Sequence, residues 1–252
     1  AASDVYKRQA YGGAIDGSTI TLSGNGSVTF SGNTASYGGA IYAYGYAYGN
    51  LSIRNNDAVL FEKNAEIRNG SYRLRSIYAE GNLELTAKTG QNISVYDSVY
   101  TVGNLTLNAN RTGGEILLSG EHTAADLLAA KNGVTGTTQE ITNSRTNTVV
   151  GTTTLGGGTL SLEHGAILQT GGFTATAGSD AVVRMDNAVL NSSGYDVTFG
   201  SGTTFSVDGG LNILNAQTMH MEDGAIWSYV LDSQHAEYAA LSFLGTWEIE
   251  GK

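Results

Sequence analysis

Apolar and polar residues alternate in short bursts along this chain, and glycine- and asparagine-rich corners separate the bursts. Ser18-Thr-Ile-Thr-Leu22 and Ser27-Val-Thr-Phe30 are two early examples, joined by Ser-Gly-Asn-Gly. A period of two is that of a strand with one face buried. The bursts also return as near-copies. Gly81-Asn-Leu-Glu-Leu-Thr-Ala87 recurs 22 residues on as Gly103-Asn-Leu-Thr-Leu-Asn-Ala109, and Gly49-Asn-Leu-Ser-Ile53 is a shorter copy. A strand-and-corner unit that returns every 20–30 residues or so predicts a coil stacking on itself. Stacking predicts Leu83 beside Leu105 and Leu85 beside Leu107, on strands ~4.8 Å apart. At roughly 20–25 residues per coil, residues 10–252 would make about ten coils and a rod of order 50 Å.

The sharpest repeat is a pair of short motifs. Phe30-Ser-Gly-Asn33 is followed by Gly38-Gly-Ala-Ile41; Gly12-Gly-Ala-Ile15 precedes the pair and Phe61-Glu-Lys-Asn64 follows it. In a coil Phe30 points inward, and Asn33 sits at the next corner, where it tolerates the left-handed region. Equivalent asparagines on neighbouring coils can then stack as a ladder. The F-x-x-N and G-G-A-I pair resembles the repeat of the polymorphic outer-membrane proteins and related bacterial autotransporter passengers. The motifs cover about residues 11–64, and residues 65–252 resemble the degenerate coils downstream in such passengers. The resemblance implies a right-handed, single-stranded parallel β-helix at a bacterial cell surface or outer membrane, exported by an autotransporter route. Its expected role is a non-catalytic stalk or adhesin, with a protein or glycan on a host or neighbouring cell as partner, acting as a monomer.

Composition agrees with a strand-built coil. Proline is absent from 252 residues, where average usage would give roughly a dozen. Proline cannot donate a ladder hydrogen bond, so a chain of central strands excludes it. The net charge is −10, with 13 basic residues against 23 acidic ones and no basic stripe, which argues against a nucleic-acid partner. There are no cysteines, and no apolar run approaches the ~18 residues of a membrane span. Asp4-Val5-Tyr6-Lys7-Arg8-Gln9 resembles the translation of a sequencing adaptor, so residues 1–9 are expected to be non-native. Residues 10–252 are expected to be one interior β-helix fragment of a longer protein.

Two stretches stand apart. Residues 121–147 break the coil pattern: Thr123-Ala-Ala-Asp126 is a capping box before Leu127-Leu-Ala-Ala-Lys131, which predicts a short helix or loop inserted at one corner. In Tyr42-Ala-Tyr-Gly-Tyr-Ala-Tyr48 the four tyrosines share one parity, so in an extended segment they line one face. They would either brace neighbouring coils or offer an aromatic contact surface.

Catalytic chemistry is weakly signalled. Parallel β-helices include polysaccharide lyases and hydrolases, so a glycan-cleaving enzyme is the alternative; it would need acids from three neighbouring coils to converge. The acids are mostly scattered, as at Asp186, Asp196, Asp208 and Asp232. Glu222 and Asp223 face opposite ways on a strand, and Glu248 and Glu250 flank Ile249 as a solvated face would. His122, His164, His220 and His235 lack zinc-site spacing. No phosphate-binding, dinucleotide or nucleophile-elbow motif is present. No catalytic, metal or cofactor-binding residue is therefore assigned, and binding residues are left open.

Overall fold

The computed structural model describes residues 8–9, 11–45, 48–69, 71–111, 113–122, 139–140, 145–229 and 240–250. The chain winds as a parallel β-helix, each coil laying one strand on each of three faces. On the third face eight strands stack in sequence order from Val28–Ser31 to Ile226–Tyr229. Strands from Ile15–Gly17 to Ala240–Ile249 build the first face and those from Thr19–Ser23 onward the second. Leu211–Met221 and Ala240–Ile249 each run across both of these faces.

Registers follow the predicted echoes. Leu51, Leu83 and Leu105 are partners on adjacent strands, as are Ile53, Leu85 and Leu107. All six are essentially buried. On the third face Phe30 pairs with Phe61, their rings stacked at 4.8 Å. Like side chains over like side chains make one continuous core from Ile20 to Met221.

The corners explain the recurring glycines and asparagines. Asn50 Oδ1 accepts the Asn82 N–H at 2.8 Å, Asn82 Oδ1 that of Asn104 at 2.9 Å, and Asn104 Oδ1 that of Thr152 at 3.0 Å. A Cβ on Gly103 would stand 2.5 Å from Asn82 Oδ1. Each corner asparagine thus fills the space that only a glycine leaves in the next coil. In the Gly-Gly-Ala-Ile unit Gly38 has φ +54, and a Cβ on Gly39 would lie 2.5 Å from the Ala65 nitrogen.

The F-x-x-N asparagines also ladder. Asn64 Oδ1 accepts from Asn33 N and Nδ2, and Asn64 N and Nδ2 both donate to Asp97 Oδ2 at 2.9 Å. Ser76 Oγ donates to the same carboxylate at 2.7 Å. Asp97 is buried, and burial, against these hydrogen bonds, raises its pKa to about 6.

Three features depart from the sequence expectation. Successive coils are not uniform: Phe30, Phe61, Val95, Leu118 and Leu162 share one column with spacings of 31, 34, 23 and 44 residues. Long early coils and one excursion leave eight third-face strands where about ten coils were expected, a stack of about 40 Å. Secondly, one pairing is antiparallel: Ala65–Arg68 folds back on Ser71–Ala79 as a hairpin. Thirdly, the tyrosine run is not one extended stripe. The strand Ile41–Ala43 ends before Gly45, at φ +119, and the Tyr48 and Gly49 N–H groups both donate to Gly45 O. Tyr46 lies outside the described residues.

The predicted helix at 123–131 also lies outside the described residues, among which no helix occurs. The excursion leaves the third face after Ser119, and Thr146–Val149 rejoins the first face. On the way Gln139–Glu140 pairs with Ser71–Tyr72 of the hairpin.

Candidate binding surface

The outward column of the first face changes character along the stack. In register order it runs Asp16, Tyr42, Tyr78, Tyr100, Thr148, Gln169, Asn191 and Asn215. The aromatic segment draws in tyrosines from the coil corners. Tyr11 stacks on Tyr37 at 5.6 Å and on Tyr42 at 5.3 Å, and Tyr78 stacks on Tyr100 at 4.7 Å. Tyr42 is buried beneath this cluster, while Tyr11, Tyr44 and Tyr48 are exposed. The Tyr42 hydroxyl donates to Glu80, and burial with that carboxylate raises its pKa.

The hairpin lays a charged face against the tyrosines. Strand alternation puts Glu66 and Arg68 on one side, and antiparallel pairing brings Arg73 opposite Glu66. The opposite side, with Ala65, Tyr72 and Leu74, forms its own small apolar cluster. The Arg68 guanidinium lies 3.4 Å from the Tyr37 ring centre and 5.6 Å from that of Tyr78, and Arg75 lies 5.0 Å from that of Tyr100. These are cation–π distances.

One carboxylate faces three guanidinium groups. Glu66 Oε2 accepts from Arg75 Nη1 at 3.1 Å, and Oε1 accepts the Gly38 N–H at 3.0 Å. Arg68 and Arg73 reach Glu66 only at 3.6 and 3.7 Å, ion pairs too long for hydrogen bonds. Arg68 Nη2, Arg73 Nε and Arg75 Nε have no acceptor. Burial pulls the Arg75 pKa down despite Glu66 beside it.

Two other surfaces carry polar side chains. An open groove of about 420 Å³ on the second face is lined by Thr21, Ser52, Glu84 and Thr106, with Asn50, Asn82 and Asn104 along one edge. Its polar groups largely satisfy one another: Ser52 Oγ donates to Glu84 at 2.9 Å, and the asparagines hold the next coil. On the third face Glu163 and Asp186 are register partners, and Asp208 lies on the next coil. Arg184 holds Asp208 at 2.8 Å, and burial raises the Glu163 pKa. At the far end His220 Nδ1 meets Glu248 at 2.9 Å. Among the described residues no three such side chains are placed to hold a metal ion, and no helix is long and apolar enough to cross a membrane.

Sequence reasoning singled out Tyr42, Tyr44 and Tyr48 but missed Glu66, Arg68, Arg73, Arg75, Tyr11, Tyr37, Tyr78 and Tyr100. One signal was present: Asn69-Gly70 between two alternating runs is a hairpin turn signature.

A stacked coil of Phe-x-x-Asn and Gly-Gly-Ala-Ile units with an aromatic outer face defines a parallel β-helix repeat solenoid. Residues 27–44 match the model of the Chlamydia polymorphic membrane protein repeat. The match and the relative below support the polymorphic membrane protein repeat family for this chain. It is 30% identical over 217 residues to the probable outer membrane protein pmp13 of Chlamydia pneumoniae, a match covering 80% of this chain and 19% of that relative. The chain therefore spans about a fifth of the relative's length. No solved structure matches it. These relationships make it a surface-exposed passenger of the autotransporter type, located at the outer membrane.

Proposed function

We propose that this segment is a non-catalytic, adhesin-like part of the passenger, contacting a protein or glycan on another cell through the aromatic face of its first coils. The observation that carries the reading is the exposure of Tyr11, Tyr44 and Tyr48 around a tyrosine stack that the coil already holds rigid. Tyrosines are common contact residues because they offer large area with few rotatable bonds. Ordering them in advance lowers the entropy lost on binding. The remainder of the solenoid is the column that projects this face.

The test is attachment of protein-coated beads to cultured epithelial cells. Changing Tyr11, Tyr44 and Tyr48 together to Ser is expected to reduce attachment several-fold with an unchanged circular dichroism spectrum. Undiminished attachment would remove the reading. The catalytic alternative rests on Glu163, Asp186 and Asp208 from three successive coils. The ion pair between Asp208 and Arg184 ties one of those carboxylates into the surface, which is why the adhesive reading is preferred. Release of reducing or unsaturated sugar ends from acidic polysaccharides would reverse that preference.

A further inference from the structure

We infer that the hairpin and the tyrosine stack together form a site for an acidic sugar, one carrying a carboxylate or sulfate group. The inference rests on the adhesive reading of this face and names the chemistry it would take. Three guanidinium groups converge on one carboxylate, so among the described residues the cluster carries an excess of two positive charges. It does so in a chain whose net charge is −10. Arg75 is buried, and its Nε–H is without an acceptor. Leaving such a donor unmet in a buried site carries a free-energy cost. The Glu66 oxygens are already engaged by Gly38 and Arg75; Arg68 keeps a hydrogen bond from Nε to Ser36 O beside its long ion pair, and Arg73 has a long ion pair only. Their side chains are 33% and 24% exposed, through atoms other than the buried Arg68 Nη2 and Arg73 Nε, so an anion approaches these exposed atoms from solvent. A planar guanidinium matches a carboxylate or sulfate through two parallel hydrogen bonds.

The aromatic half of the site favours a sugar over a bare anion or an acidic peptide. The Arg68 guanidinium carbon sits 3.4 Å from the Tyr37 ring centre, and Tyr11 stacks on that same ring with nearly half of its own surface open. A pyranose has an apolar ring face that can rest on Tyr11 while its charged substituent reaches the neighbouring guanidinium. An aromatic wall with a few placed polar groups is the usual composition of a small-ligand site. The acidic balance of the rest of the chain repels polyanions, so binding should depend on this cluster.

The experiment is titration calorimetry on the full chain with a heparin tetrasaccharide, its desulfated and carboxyl-reduced counterpart, inorganic sulfate, and a short polyglutamate. The sulfated tetrasaccharide is expected to bind, and the neutral counterpart at least tenfold more weakly. Arg73→Gln should weaken binding tenfold or more with an unchanged melting temperature, and Tyr11→Ala should weaken it several-fold. Arg73 is chosen because it stacks on none of the tyrosines and carries only a long ion pair. Three results would overturn the inference: no binding of the sulfated sugar, equal binding by Arg73→Gln, or equal binding of inorganic sulfate or polyglutamate. Bead attachment that persists while the tetrasaccharide fails to bind would remove the acidic sugar and leave the adhesive face standing.

Discussion

The coils before Ser119 and those after Thr146 share one core and differ outside it. Both halves stack buried aliphatic and aromatic columns in strict parallel register, Leu83 under Leu105 in the first and Leu162 under Met185 in the second. The first two coils are long, with 31 and 34 residues between column partners Phe30, Phe61 and Val95, before the spacing falls to 23 at Leu118. The later ones are short, with 23 and 22 between Leu162, Met185 and Val207. Their outward first-face residues differ too: tyrosines early, then Thr148, Gln169, Asn191 and Asn215. In the later half Asn215 Nδ2 donates to Asn191 Oδ1 on the adjacent coil. The comparison shows that a solenoid can vary its outer surface while keeping one core. Each coil meets only its neighbours, so added loop length and outward aromatics leave the buried columns undisturbed.

The most severe way to break this picture is to disturb a corner on which the longer coils depend. Gly39→Val would place carbon atoms against the Ala65 nitrogen and the Arg75 carbonyl, where even a Cβ stands at 2.5 and 2.6 Å. A loss on the order of 4 kcal/mol or more is expected, read as a lower-melting transition of the early coils that leaves the later ones folded. A single unchanged transition would show that the corner is not tight.

The comparison is sharpened by matched deletions in the shared core. Leu85→Ala and Leu162→Ala each empty a fully buried position, and each should cost about 2–5 kcal/mol. Similar values by denaturant titration support one core of uniform quality. A cost several-fold smaller in either half would mean that half is loosely packed.

The smallest expected effect concerns Asp97, which has no counterpart in the later half. Its folded pKa of about 6 lies above its unfolded value near 3.9. Its protonated form therefore favours the fold. That stability is complete below the unfolded pKa and is lost as pH rises through about 6. The span corresponds to roughly 2–3 kcal/mol. Asp97→Asn keeps an oxygen to accept from Asn64 and Ser76 and should flatten the stability profile between pH 4 and 7. A variant profile as steep as the parent's would place the proton elsewhere.

Much of the coil was legible from local pattern. Leu83 and Leu85 follow a Gly-Asn corner as Leu105 and Leu107 do, and period-two alternation turns that similarity directly into register. The asparagine ladder from Asn33 to Asn64 was legible for the same reason, since identical residues at identical corners must meet when coils stack. The arginine–tyrosine face was not legible in that way. Arg68 meets Tyr37 and Tyr78, and Arg75 meets Tyr100, only because a hairpin turns back between two coils and exposes its charged side to a column set by other strands. Asp97 takes its place below Asn64 because an unusually long coil brings it there, where no repeat copy would have put it. Short-range periodicity therefore decides which side chains point inward. Pairings across coils of unequal length depend on how the whole chain winds, so the arginine–tyrosine face existed only once the coils were stacked.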